Sequence, residues 1–223
     1  YGIETLGAND FLTLNPGEPG ADGNAAVIAA GTGLGEAGMF WDGRRLKPFG
    51  TEGGHSDFAP RSEIEVELYR FLAREFGRVS YERVLSGPGL YNVYRFLRDT
   101  QRGSEDASLA EAIRGAHPSS VISQAALAGT SELCVQALDL FIDVYGAESG
   151  NLALKLMATG GVYLGGGIAP KNAPRFANGR FMTAFLAKGR FAALLEKIPV
   201  KVILNDKTAL LGAARCAELS LGA

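Results

Sequence analysis

At 223 residues, with 47% hydrophobic and 21% charged side chains, the chain has the composition of a globular protein with room for one or two buried cores. A formal net charge of −2 provides no electrostatic footprint for nucleic acid or an anionic membrane, and no apolar run reaches the length of a membrane span. Cys134 and Cys216 stand apart from each other with no Cys-x-x-Cys pair or clustered histidine, so neither zinc nor a disulfide is indicated and a cytoplasmic location is the default.

The first residue is Tyr1 rather than Met, so the chain reads as processed or as part of something longer. Residues 1–24, broken by Asn15-Pro16-Gly17 and Pro19-Gly20, read as irregular connections. Val27 to Ala30 reads as a buried strand, with Ala37 to Trp41 as its partner across a glycine turn. Asp42-Gly43 is a hairpin signal leading toward Leu46, and together these form an antiparallel meander.

Helices follow. Ser62 and Glu65 have the spacing of a capping box ahead of Ile64, Leu68, Phe71, Leu72 and Phe76, and Gly77 ends that run. Ser80 reads as the cap of a short helix through Leu85, and Pro88 opens another with Leu90, Val93, Tyr94 and Leu97 on one face. Helical patterning continues over Ser119 to Leu127 and from Thr130 to about Met157, where Cys134, Leu138, Phe141 and Tyr145 form a core stripe and Gly146 or Gly150 marks an expected break. Val162 to Leu164 is a short strand, a helix carries Phe181, Phe185 and Leu186, Val200 to Leu204 is a strand, and Thr208 to Leu219 is a final helix. That alternation predicts a parallel strand pair with a crossover.

Thirty glycines cluster at the strand ends, where turns face ligands. Gly31-Thr32-Gly33-Leu34-Gly35 follows an apolar strand, so its backbone N–H groups either face an anion or simply close a hairpin whose glycines supply positive φ. It is not a Walker A loop, because no Gly-Lys-Ser/Thr follows. Glu52-Gly53-Gly54-His55 places a carboxylate and an imidazole on a Gly-Gly turn, a donor and acceptor set suited to a hydroxylated ligand. Glu82 lies in the first turn behind Ser80; it either complements a helix N-terminus, worth roughly 0.3–1 kcal/mol, or accepts from sugar hydroxyls. Gly165-Gly166-Gly167 ends a strand and either admits a nucleotide against bare backbone or packs too tightly for side chains. His117, before Pro118, reads as structural.

In order along the chain, these segments resemble the bacterial glucokinase family, in the group without the zinc motif of its repressor relatives. The resemblance runs through Leu12-Thr13-Leu14-Asn15-Pro16-Gly17, the Gly31–Gly35 loop, Glu52 through Pro60, Glu82 through Leu90, Gly150-Asn151-Leu152-Ala153-Leu154, Gly161 through Pro170, and Leu210-Leu211-Gly212-Ala213-Ala214. It implies an α/β, mixed α+β fold: the large lobe of an actin-like, ribonuclease H-like ATPase, with a central mixed sheet and many helices. It implies ATP-dependent phosphorylation of glucose at the 6-hydroxyl, with Glu52, His55 and Glu82 on the sugar. Gly31, Thr32 and Gly33 would face the phosphates, and Gly165, Gly166 and Gly167 the adenosine. ATP would bring Mg²⁺ with it, and no protein-only metal site is implied. Family members begin with a small lobe carrying an Asp-x-Gly-Gly-Thr-Asn loop, and their catalytic aspartate lies in an Asn-Asp motif just before the position matching Tyr1. Asn9-Asp10 is not that motif, so no residue here is assigned as the base, and the chain by itself is expected to be inactive.

Residues 1–204 are expected to form the large domain, with 205–223 a helix that in the family packs on the small lobe. Expected partners are glucose, ATP and a second copy in a homodimer, with neither nucleic acid nor membrane. The alternative is a non-catalytic sugar-binding or sugar-responsive regulatory module of the same superfamily.

Overall fold

The computed structural model describes residues 1–18, 22–115 and 117–221. Six strands form one mixed sheet: β1 (Phe11–Asn15), β2 (Ala25–Ala30), β3 (Leu34–Trp41), β4 (Leu46–Thr51), β5 (Gly161–Gly165) and β6 (Val200–Ile203), in the spatial order β1-β6-β5-β2-β3-β4. The expected meander is β2-β3-β4, antiparallel throughout, with Ala30 opposite Leu34 and Trp41 opposite Leu46. Pro48 is tolerated because β4 is an edge strand. β5 and β6 form the parallel pair that the alternation predicts, and β2 runs parallel beside β5.

Residues 1–24 are more ordered than an irregular connection, although 19–21 lie outside the described residues. Phe11–Asn15 is an edge strand, antiparallel to β6 with Phe11 opposite Ile203, and 3₁₀ turns occupy Gly2–Thr5 and Ala8–Asp10. The partner of β1 lies almost the whole chain away, which is why local patterning concealed it.

Between β4 and β5 lie α1 (Glu63–Phe76), α2 (Gly87–Asp99), α3 (Ala107–Gly115), α4 (Pro118–Ala128) and α5 (Glu132–Leu156). The Ser62–Glu65 capping box does not form. Ser62 sits at the N-cap without a side-chain bond, and Glu65 instead accepts from the Arg61 N–H and guanidinium, both at 2.7 Å. Behind Ser80 there is only a 3₁₀ turn, Tyr81–Arg83, in place of a helix through Leu85. The cap of α2 is Ser86, whose hydroxyl accepts from the Gly89 N–H. α5 is continuous through both glycines. A Cβ on Gly146 would lie 2.3 Å from the Phe181 carbonyl oxygen, and one on Gly150 2.6 Å from that of Phe185, so both glycines serve close helix packing rather than a break.

After β5 come α6 (Ile168–Lys171), α7 (Ala173–Phe176), α8 (Arg180–Leu186) and α9 (Ala192–Glu196), and after β6 comes α10 (Thr208–Leu221). The expected stripe on α5 is core: Cys134, Leu138, Phe141 and Tyr145 are fully buried. Tyr145 stacks edge-on with Phe141, Phe176 and Phe181. Its hydroxyl donates to the Ile28 carbonyl and accepts from the Ala30 N–H, tying α5 to the end of β2. α10 packs on Gly2–Thr5, where Gly2 and Gly212 allow close approach. No residue of α10 is buried, and Leu210 is 70% exposed. Residues 222 and 223 of the expected tail lie outside the described residues. No single helix among the described residues is long and apolar enough to cross a membrane, and both cysteines are free.

Candidate functional site

The start of β3 is the floor on which the segments carrying the three residues expected at the sugar meet. The Leu34 N–H donates to Glu82 Oε2 at 2.9 Å. A Cβ on Gly33 would lie 2.6 Å from that same oxygen, so only glycine lets the carboxylate sit over the turn. Gly54 lies on the Leu34 carbonyl, where a Cβ would come within 2.1 Å of the oxygen, and Gly53 lies equally close to the Glu36 carboxyl. The turn itself is a 3₁₀ segment, Gly53–His55, closed by the His55 N–H to the Glu52 carbonyl at 3.0 Å.

Short backbone ties join this turn to the one carrying Glu82. Tyr81 N–H donates to the Ser56 carbonyl at 3.0 Å, and Phe58 N–H to that of Val79 at 2.9 Å. Arg78 donates to the His55 carbonyl at 2.8 Å and to the Asp57 carboxylate at 2.7 Å. The segments of Glu52, His55 and Glu82 therefore form one laced unit, with Glu52 and His55 exposed and Glu82 half-buried. His117 is exposed at the cap position of α4, outside this unit.

The residues expected at the nucleotide lie at the C-terminal ends of parallel strands, where open α/β sheets bind ligands. Gly31, Thr32 and Gly33 join β2 to β3. None of the loop's glycines has positive φ, which overturns the hairpin reading in which positive φ was their purpose. Gly31 N–H closes on the Gly33 carbonyl at 2.9 Å, and Gly87 N–H donates to the Gly31 carbonyl at 2.7 Å. Gly166 does have positive φ, +77°, and a Cβ there would lie 2.2 Å from the Ala30 carbonyl oxygen. The Gly165–Gly167 turn is thereby pressed against the residue that precedes the Gly31 loop. Beside it opens a cavity of about 850 Å³, lined mainly by apolar atoms of Val27, Met39 and Ile203 and closed by Asn205 and Thr208. Asp10 is engaged locally, accepting from Gly7 N–H and the Asn205 amide.

Sequence reasoning passed over two acids beneath the Gly53–His55 turn. Glu36 is 5% exposed and Glu148, on α5, is fully buried. Burial, reinforced by the Glu148 carboxylate and opposed by Lys155, pushes the Glu36 carboxyl up to about 7. The available signal was an acid at an inward-facing position of a strand, in register with Ile28.

A model of the glucokinase family matches residues 1–220. The chain belongs to the glucokinase family. A glucokinase from a Nostoc species is 45% identical over 97% of this chain, which spans 67% of that protein. The crystal structure of a glucokinase from an Antarctic psychrotroph superposes with a TM-score of 0.83 at 30% identity, covering 97% of this chain and 64% of that one. A ROK family glucokinase from Streptomyces griseus, solved with glucose and AMPPNP, shares the fold with a TM-score of 0.59 at 21% identity, over 88% of this chain and 61% of that one. The chain thus spans about two thirds of the length of these glucokinases. Its fold, a mixed six-stranded sheet with many helices, is that of the actin-like ATPase sugar kinases.

Proposed function

We propose that this chain supplies the hexose-gripping wall and part of the nucleotide cleft of an ATP-dependent glucose kinase. The observation that carries this is the convergence on β3: Glu82 bonded to Leu34 N–H, with Gly54 and Gly53 stacked on Leu34 and Glu36. On this reading Glu52 and Glu82 accept hydrogen bonds from sugar hydroxyls and the His55 imidazole adds a donor, which fixes the hexose before phosphoryl transfer. Gly31, Thr32 and Gly33 present backbone to the phosphates, and the Gly165–Gly167 turn, bare of Cβ atoms, faces the adenosine.

Phosphoryl transfer needs positioning and charge neutralisation more than covalent help, so these roles suit a wall of carboxylates and glycine turns. Mg²⁺ would enter with the nucleotide phosphates and neutralise their charge. No group of three or more His, Cys, Asp or Glu side chains able to hold a metal occurs among the described residues. No residue of this chain is assigned to take the proton from the 6-hydroxyl. The chain by itself is therefore expected to show no measurable turnover and to bind glucose more weakly than micromolar, since each missing charge-assisted bond removes about 1.5–3 kcal/mol. The exposed leucines of α10 would receive a further lobe, and the protein would be cytoplasmic and dimeric, which fractionation and light scattering check.

The test is amide NMR of the chain titrated with glucose and, separately, with AMPPNP. Saturable glucose shifts at Gly53, His55 and Glu82, with nucleotide shifts at Gly31–Gly33 and Gly165–Gly167, are expected. Absence of saturable glucose shifts, or shifts elsewhere only, would overturn the reading. Glucose shifts without any nucleotide response would favour a sugar-binding module instead.

A further inference from the structure

Under the sugar-side turn lies a buried acid that the proposed chemistry does not use. The Glu36 carboxyl is wedged between Gly53 above it and the helical layer below. One oxygen sits where a Cβ of Gly53 would fall 2.1 Å away, and the other, Oε1, is shielded from solvent with no hydrogen-bond partner. An ionised carboxylate left in that state is strongly disfavoured.

The cation that acts on it, Lys155, is paired with another acid. Lys155 Nζ donates to Glu148 Oε1 at 3.1 Å, and Asn151 donates to Glu148 Oε2 at 2.8 Å, so the nearest ammonium is committed to the other acid. Lys188 is committed too, to the Ala147 carbonyl at 2.9 Å and the Asn151 amide oxygen at 2.5 Å. Of the titratable groups on α5, Tyr145, Glu148 and Lys155 act on Glu36; Glu52 and His55 lie in the turn above, and the adjoining 3₁₀ turn carries Tyr81, Glu82 and Arg83, whose guanidinium lies over the Phe76 ring.

A second tie runs from the same residue to the same turn. The Thr51 hydroxyl donates to the Glu36 carbonyl at 2.9 Å and accepts from the Gly53 N–H at 3.1 Å. Backbone and side chain of Glu36 therefore both bear on Gly53, the residue next to Glu52.

We propose that the Glu36 carboxyl is a positioning group for the Glu52–His55 turn: protonated, it seats Gly53, and loss of its proton loosens the two hexose-facing side chains. What the turn holds rests on the function proposed above; the coupling between Glu36 and the turn does not. The negative form would seek water or a donor; α5 beneath is packed and Glu148 repels it, so the partly exposed turn is the neighbour that yields.

The experiment is NMR on the wild-type chain and Glu36→Gln from about pH 5.5 to about pH 8.5, following the Glu36 side-chain carbon and the Gly53 and Gly54 amides. In the wild type, carboxyl and glycine amides are expected to titrate with one shared midpoint near neutrality. In Glu36→Gln the glycine amides are expected to lose that midpoint. Glucose affinity is expected to fall about threefold or more across this range in the wild type and to stay flat in Glu36→Gln. A carboxyl titrating in the ordinary carboxylate range, or glycine midpoints that survive Glu36→Gln, would overturn the proposal. If Glu36→Gln fails to fold, the wild-type comparison of carboxyl and glycine midpoints decides by itself. Shared midpoints with no saturable glucose binding would uphold the coupling and remove the hexose reading instead.

Discussion

The Gly165–Gly167 turn and the Gly53–His55 turn use glycine for different physical reasons. At Gly166 the backbone has positive φ and the crowding atom is the Ala30 carbonyl, which is fixed by the sheet. At Gly53 the φ is ordinary and the crowding atom is the far end of the Glu36 side chain. Gly54 is intermediate, with ordinary φ but the Leu34 carbonyl in the way. The Gly165–Gly167 turn is therefore held by fixed backbone, whereas the Gly53–His55 turn rests on a side chain that can move and change charge.

Substitutions can break that comparison. Gly166→Ala should have the largest effect: a left-handed non-glycine residue alone costs about 1–2 kcal/mol, and the carbonyl clash adds to it, so a loss of about 3 kcal/mol or more is expected in denaturant unfolding. AMPPNP shifts at Gly31–Gly33 should vanish with it. The counterpart beneath Gly53 is a pH effect. The Glu36 carboxyl holds its proton more tightly folded, at about 7, than its ordinary value of 4.5, so folding stability drains away as pH rises from about 4.5 to about 7 and levels off above. Glu36→Gln should escape this, gaining on the order of 3 kcal/mol over the wild type at about pH 8 and progressively less at lower pH. Equal pH dependence in both proteins would show that the acid is not strained.

Gly53→Ala should destabilise by about 1–2 kcal/mol, and Glu36→Ala in the same chain should rescue part of that by vacating the space. An equal loss with and without Glu36→Ala would place the crowding elsewhere. Arg78→Met should be the mildest. Its bonds to His55 and Asp57 are exposed, so less than about 1 kcal/mol is expected in thermal unfolding, with the amide of His55 shifted.

The sheet's centre was legible in the sequence because Ala25–Ala30 is a continuous apolar run and its hairpins carry explicit turn residues. The edge strand Phe11–Asn15 was not, since its pairing with β6 is long-range and Asn-Pro-Gly beside it reads as a loop. Gly146 and Gly150 suggested a break because sequence reports a glycine's flexibility but not the neighbour that needs its missing side chain. The Gly-Gly turn brought Glu52 and His55 to notice and the position behind Ser80 brought Glu82, and the structure puts their segments on one floor. Glu36 and Glu148 escaped because each lies among small and apolar residues in a segment whose pattern says only core. An acid at an inward position is informative once its parity within the strand is known.

The Tyr145 hydroxyl, wholly enclosed, bridges the Ile28 carbonyl and the Ala30 N–H at the last step of β2. Ala30 is also the residue on which Gly166 rests, and the one from which the Gly31 loop departs. A single phenol on α5 thus anchors the residue from which the Gly31 loop departs and on which the Gly165–Gly167 turn rests.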